Sequence, residues 1–287
     1  MSAKKKVGLV LEGGGMKGMF TAGVLDFFLE QGFEFGEIIG VSAGAIHAAS
    51  FLSGQKHRSR DITLKFIKDK RYCSVDSLLR TGDLFNAKFA YYDVPDKYFP
   101  FDRKTFKANK SKMVVVATGI ETGRPEYFYV DNFDGDEVEI LRASASIPML
   151  SNDVEIGGRK YLDGGMSDSI PLKKIEADGF VKNVVVLTKS KGYRKRKSKS
   201  YLAMKKRYKM YPGIVEAVRV RHVEYNATVD YIEEQEAAGK ILVLRPANDS
   251  VKRLEKNKDK LEALYNEGYE TAKRMLPALR ECLGFSS

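Results

Sequence analysis

Three short stretches hold residue types that could act together in acyl transfer. In Gly40-Val41-Ser42-Ala43-Gly44 a serine is flanked by glycine two positions away on each side. On a sharp turn from strand to helix such a serine presents its hydroxyl at the end of a sheet, and the glycines let neighbouring backbones pass closely. The same letters also describe a glycine-rich helix start with Ser42 as N-cap. A second stretch, Gly13-Gly14-Gly15-Met16-Lys17-Gly18, again falls between a predicted strand and a predicted helix. Backbone N–H groups in such a loop lack helical partners and can stabilise a negative oxygen, where one donor contributes about 3 kcal/mol to a hydrolytic transition state. Gly13, Gly15 and Gly18 equally satisfy the dinucleotide spacing GxGxxG, which calls for an acidic residue at the end of the second strand. Glu34 precedes that strand and Glu37 only begins it, and the serine motif ends it, which disfavours a dinucleotide. The third stretch, Asp163-Gly164-Gly165, follows Arg159-Lys160-Tyr161-Leu162 and alone reads as a turn.

A serine hydroxyl is a poor nucleophile until a base takes its proton, and histidine is the usual base. His47 lies on the helix leaving the serine turn, where it is expected to point away from the top of the sheet. His57 sits in a polar Lys-His-Arg stretch and reads as solvated. His222 would complete the order Ser, Asp, His, but it falls inside a helix between Val220 and Val223 with no loop around it. A two-residue device of Ser42 and Asp163 is therefore the better reading.

These residues need a scaffold, and the N-terminal half reads as alternating strand and helix. Val7 to Leu11 is a short apolar run bounded by glycines, as in a buried parallel strand. Met19, Phe20, Val24, Leu25, Phe28 and Leu29 recur at helical spacing up to Gly32. Glu37 to Gly40 is a second strand, and Ala45 to Leu52 an apolar helix after the serine turn. This order predicts a mostly parallel sheet with helices on both faces. Met113 to Thr118 and Asn183 to Thr188 read as further buried strands, Glu126 to Val130 as an edge strand, and Glu137 to Ala145 as a helix stopped by Pro148. Lys56 to Lys110 shows no clear period and is expected to hold helices and loops. Ser200 to Ala238 reads as helical, interrupted at Pro212-Gly213; Lys240 to Arg245 reads as a last strand and Lys258 to Cys282 as a terminal helix.

With 287 residues and 43% hydrophobic content, the chain can bury a substantial core. The basic start Met1 to Lys6 precedes only five apolar residues before Glu12, too short for a signal peptide, and no spanning apolar run follows. Cys73 and Cys282 lie outside any CxxC spacing, so the expectation is a reducing cytoplasm without disulfides. Nothing resembles HExxH or a calcium loop, and neither a metal nor a cofactor is expected. The net charge of +11 comes from one segment: Lys189 to Lys209 holds eleven Lys or Arg and no acidic residue, leaving 38 basic and 38 acidic side chains elsewhere. Such a run is usually a solvated face. Its sharper reading is peripheral contact with the anionic inner face of a membrane, at about 1 kcal/mol per basic residue, helped by interleaved Tyr193, Tyr201, Leu202, Met204, Tyr208, Met210 and Tyr211. No nucleic-acid recognition motif is present.

A glycine-rich loop, an elbow serine and a downstream Asp-Gly-Gly, in that order, resemble the patatin-like phospholipases over residues 7–190. The segment Ala143-Ser144-Ala145-Ser146-Ile147-Pro148 is similar to the family's approach to its aspartate loop. The resemblance implies a three-layer α/β fold related to the α/β-hydrolases, with residues 191–287 as a mainly helical extension on the same domain. It implies a serine lipid acyl hydrolase of the phospholipase or esterase type, in which Ser42 attacks an ester carbonyl and Asp163 relays the proton to the leaving group. Gly13, Gly14 and Gly15 with Lys17 would form the oxyanion hole, and Gly18, Gly40, Gly44, Gly164 and Gly165 would be motif glycines. An aspartate near its ordinary pKa of about 4 is a weak base for serine, so such a site must desolvate it or leave it bonded mainly to Ser42. The alternatives are a non-catalytic protein of the same fold binding membrane or nucleic acid, and an acyltransferase using the same residues.

Overall fold

The computed structural model describes residues 7–285. Val7–Leu11 forms β1, and one turn of 3-10 helix at Gly15–Gly18 leads into α1, Met19–Glu30. β2, Glu37–Val41, stops one residue before Ser42, and α2, Ala43–Leu52, starts one residue after it. Next come α3 (Arg58–Phe66), α4 (Val75–Thr81), a π-type helix at Phe89–Tyr98 that contains Pro95, and α5 (Arg103–Ala108). β3 (Lys112–Gly119), β4 (Pro125–Val130) and α6 (Glu137–Ser144) precede the hairpin of β5 (Val154–Ile156) and β6 (Arg159–Asp163). After α7 (Leu172–Ala177) and β7 (Lys182–Val186), the C-terminal part supplies α8 (Tyr201–Arg207), α9 (Pro212–Ala237), β8 (Ile241–Leu244), α10 (Lys258–Arg274) and α11 (Leu276–Leu283).

The strands form one eight-stranded sheet in the order β5-β6-β3-β2-β1-β7-β8, with β4 joined to β3. β2, β1, β7 and β8 run parallel to β3, whereas β4 and β6 pair with β3 antiparallel. Every residue of β1 and β2 is buried because both faces are covered. Leu9, Leu11, Ile38 and Val115 pack with α1, α2 and α10 on one face. Val10, Ile39, Val41 and Val114 pack with α7 and α9 on the other, so the two-residue period of each strand feeds two separate cores.

Two boundaries differ from the sequence reading, and one hairpin was not anticipated by it. Asp163 is the last residue of β6 rather than part of a loop. Gly157 and Gly158, at φ 57° and 76°, close the β5–β6 hairpin with the two positive dihedrals a tight two-residue turn requires. The terminal helix is two, broken at Met275 because Pro277 cannot continue the backbone ladder of α10 and instead sits in the first turn of α11. Among the described residues, no helix is long and apolar enough to cross a membrane.

Candidate active site

One edge of β3 is divided between two strands, and that division builds the site. β2 runs parallel to β3 as far as Val41 opposite Val116; β6 runs antiparallel and begins its pairing with Asp163 opposite Ala117. β4 occupies the other edge over Met113 to Thr118. The C-terminal ends of β2 and β6 therefore meet head to head at neighbouring positions of β3, bringing Ser42 and Asp163 together across 121 residues of sequence (163 − 42).

Ser42 sits at φ 54°, ψ −123°, a sparsely populated conformation for a residue with a side chain, and it makes no capping bond to α2. The N-cap alternative thus fails, and a strained strand-to-helix turn remains. The turn holds because its neighbours fit. A methyl group on Gly44 would lie 2.5 Å from the Leu11 carbonyl oxygen, so β1 and the start of α2 touch only because Gly44 has no side chain. Gly40 packs under the backbone of Ala45, and Gly13 lies against Val41 and Ser42. The backbone N–H of Ser42 donates to Ser144 Oγ at 2.8 Å, and that of Asp163 donates to the Ser146 carbonyl at 2.8 Å. The end of α6 and the two residues after it, Ser144 to Ser146, thus hold both residues in place.

Asp163 is buried, and its Oδ1 accepts the Gly165 N–H at 2.7 Å. A methyl on Gly164 would come within 2.2 Å of the Val116 carbonyl oxygen, so the turn after Asp163 lies directly against β3.

The glycine loop leaves β1 beside this turn. Met16 N–H donates to the Arg253 carbonyl at 3.0 Å and Lys17 N–H to the Gly14 carbonyl at 3.3 Å. The N–H groups of Gly13, Gly14 and Gly15 have no partner among the described residues. Glu12, buried just before the loop, accepts from Thr188 N–H at 2.6 Å and Tyr225 O–H at 2.8 Å, while the Thr188 hydroxyl lies 3.0 Å from Glu12 and 3.1 Å from the Gly13 carbonyl. Lys17 pairs with Asp249, its Nζ 2.6 Å from the carboxylate. Gly18 abuts His47.

Ser42 lines two cavities of opposite character. The larger, about 180 Å³, is walled mainly by apolar groups such as Met16, Met19, Ile46, Phe85 and Leu141, with Arg58, Arg103, Arg142 and Asp83 also in its lining. The smaller is polar and brings Ser42 together with Gly13, Gly14, Gly15, Asp163 and Gly165, closed by Lys189, Lys195, Arg221 and Arg253. No histidine lines the polar cavity. His47 borders the apolar one, where burial lowers its pKa to about 4 and keeps it neutral; it does not point away from the site as its position suggested. His57 contacts the Tyr265 hydroxyl at 3.0 Å and Asp26 at 3.4 Å, outside both cavities, so it is paired rather than merely solvated. His222 lies on α9 and lines neither cavity.

The basic segment divides. Lys189 and Lys195 turn inward, and Arg194 pairs with Asp230 and Glu233 of α9. Met204 and Tyr208 are buried against Ile120, Met166 and Ile214, and Tyr193 packs edge to face with Tyr225, while Leu202 and Met210 remain exposed. Sequence reasoning missed Ser144, Glu12, Thr188, Arg221 and Arg253. Ser144 falls in the Ala143–Pro148 segment already singled out, but isolated residues such as Arg221 and Arg253 carry no local signal.

The sequence resembles known proteins over most of its length. A family model described as Patatin-like phospholipase matches residues 9–174, and one described as Domain of unknown function (DUF6363) matches residues 211–284. An uncharacterized Escherichia coli protein, YjjU, is 31% identical over 189 residues, covering 64% of this chain and 52% of its own. The uncharacterized NTE family protein Mb1092c of Mycobacterium bovis is 27% identical over 178 residues, covering 61% and 46%. Lysophospholipase NTE1 of Candida glabrata is 24% identical over 297 residues, covering 96% of this chain and 16% of its own. Among solved structures, VipD from Legionella pneumophila is similar with a TM-score of 0.47 and 14% identity, covering 96% of this chain and 67% of VipD. The chain spans about half the length of the bacterial relatives. The family match runs from β1 through the glycine loop, the elbow and the aspartate turn to α7, so this chain belongs to the patatin-like phospholipase family.

Proposed function

We propose that the protein is a serine lipid acyl hydrolase working through a dyad of Ser42 and Asp163. The observation that carries this reading is the shared polar cavity: Ser42, Asp163 and the glycines with three unpartnered backbone N–H groups line one small space, and Ser42 also lines a larger, mainly apolar cavity. The acyl chain enters the apolar cavity. Ser42 Oγ attacks the ester carbonyl while Asp163 takes its proton, and the N–H groups of Gly13, Gly14 and Gly15 stabilise the oxyanion. The Gly165 N–H engages Asp163 Oδ1, leaving Oδ2 for the serine proton. Collapse breaks the ester C–O bond, Asp163 protonates the departing alcohol, and water then releases the acyl group by the reverse sequence. Lys17 acts at one remove, holding the loop to Asp249. At the surface, exposed Leu202 and Met210 beside exposed Lys199, Lys205, Lys206 and Lys209 favour peripheral docking on anionic bilayers.

The test is hydrolysis of a p-nitrophenyl acyl ester, with fluorophosphonate labelling as a second readout. The wild type should release alcohol in a burst and label at Ser42; Ser42→Ala should do neither. Asp163→Asn should abolish turnover with the fold intact. A mild Asp163→Asn beside a severe His222→Ala would overturn the dyad.

A further inference from the structure

The larger cavity has a polar end that the dyad chemistry leaves unused. One face of α2 lines it without a break, because Ser42, Ile46, Ala49 and Ser50 fall at helical spacing and all border the same space. Ser50 lies two turns beyond Ser42, which separates the two by about 12 Å along the helix axis. At Ser50 the lining turns polar. Arg58 Nη1 donates to Ser50 Oγ at 3.2 Å and Nη2 to the Phe99 carbonyl at 3.0 Å, and the guanidinium carbon stands 5.2 Å over the Phe101 ring. Both Arg58 and Phe101 line the cavity.

Arg58 is under-satisfied there. Only two of its five N–H donors are engaged, its buried Nε has no partner, and among the described residues no carboxylate oxygen lies within 4.0 Å of it. The other cations of the lining are paired, Arg142 with Glu139 at 2.5 Å and Arg103 with Asp96 at 3.0 Å. Asp83, the one carboxylate among the described residues of the lining, is taken up by Asn152, whose backbone N–H and side-chain amide donate to its two oxygens at 2.9 and 3.1 Å. The Tyr72 hydroxyl also lines the cavity and has no hydrogen-bond partner among the described residues. Burial lowers Arg58 to about 10 and raises Tyr72 to about 12, and each group acts on the charge of the other. A buried guanidinium with free donors beside an unpartnered phenol is costly until an acceptor meets both.

The chemistry at Ser42 decides which acceptor that is. With the acyl carbon held at Ser42 and its chain along α2, the group that meets Arg58 is the far end of the acyl chain. A terminal methyl there would strip water from the guanidinium and the phenol and return no hydrogen bond. A carboxylate would accept from the guanidinium fork and from the Tyr72 O–H. An extended chain of about eight to ten carbons bridges the ~12 Å between the two ends.

We infer that Arg58, assisted by Tyr72, selects the distal end of the acyl group, so that the preferred substrate is the ester of a medium-length dicarboxylic acid with a free carboxylate at the end remote from the scissile bond. This rests on the acyl hydrolase reading above, with the acyl chain in the larger cavity. The distal carboxylate is bound and takes no part in the reaction: the ester C–O bond breaks at the near end, and water supplies the hydroxyl of the released diacid and the proton of the alcohol.

The test compares mono-p-nitrophenyl nonanedioate with p-nitrophenyl nonanoate at neutral pH, by released p-nitrophenol, with both esters below their aggregation thresholds. Wild-type kcat/KM should favour the carboxylate ester at least about tenfold, the size expected for one charge-assisted bond. Across half-esters from butanedioate to dodecanedioate, each set against the monoacid ester of equal length, that preference should peak near nonanedioate. Arg58→Gln should lower the preference about tenfold and Tyr72→Phe by a smaller factor, while Arg58→Lys should restore part of it. Urea midpoints identify any variant that fails to fold, and the wild-type length profile with Tyr72→Phe then carries the test. A wild-type preference near one overturns the inference, as does a preference that is flat with chain length or variants that slow both esters in proportion. Hydrolysis of both esters without preference removes only the distal site; no hydrolysis of either and no fluorophosphonate labelling of Ser42 removes the hydrolase reading and the distal site with it.

Discussion

Replacing Ser144 by alanine deletes the hydroxyl that accepts the Ser42 backbone N–H at 2.8 Å. Ser144 is 0% exposed, so water cannot take its place, and the Ser42 N–H would be left buried without a partner. That costs about 1–3 kcal/mol. Ser42 also sits at φ 54°, where a side-chain-bearing residue carries a further ~1–3 kcal/mol of strain that only its surroundings sustain. Loosening the turn displaces Ser42, and in the proposed mechanism a shift near 1 Å costs on the order of 100-fold in rate. Ser144 lines neither cavity, so binding of a short ester is untouched. We expect Ser144→Ala to lose about 2 kcal/mol in urea unfolding and roughly 10- to 100-fold in kcat, with KM for a short p-nitrophenyl ester nearly unchanged and Ser42 labelling slowed in step with kcat. Lost stability at wild-type kcat would mean that other contacts hold the elbow. A raised KM at unchanged kcat would mean that Ser144 shapes the binding site rather than the nucleophile.

His47 has a folded-state pKa of about 4 against an ordinary 6.5, so protonation favours the unfolded chain. Its stability contribution is complete above about pH 6.5 and lost as pH falls toward 4, which amounts to about 2 kcal/mol between pH 7 and pH 5. The urea midpoint of His47→Gln should therefore fall less than that of the wild type over this range; equal slopes would refute burial as the cause. Gly164→Ala places a methyl 2.2 Å from the Val116 carbonyl oxygen. It should destabilise by about 1–3 kcal/mol as overpacking does and suppress hydrolysis by shifting Asp163, and full activity would show that the turn can move without cost. Binding to vesicles should require anionic lipid, weaken as salt rises, and weaken further in the double variant Leu202→Ser with Met210→Ser. Equal binding to neutral vesicles would sink the docking surface.

Local pattern determined much of this protein. A five-residue apolar run bounded by glycines must be a covered parallel strand, and helical spacing after it must place one apolar face on the sheet, so β1, α1, β2 and α2 lie where the residues said they would. The three glycine-rich motifs were equally legible, because each depends on close backbone approach that only glycine permits. The sequence reading passed over the Gly157-Gly158 hairpin and what it accomplishes: only the pairing of β6 with the free end of the β3 edge turns Asp163 back toward Ser42. The basic run shows the same limit. Eleven like charges in sequence suggested one solvated face, but folding turned Lys189 and Lys195 inward, paired Arg194 with α9, and met them with Arg221 and Arg253 from elements far along the chain. Periodicity records which residues leave water. Which distant side chains then share one cavity depends on strand order and edge pairing, and those are settled by packing of the whole chain.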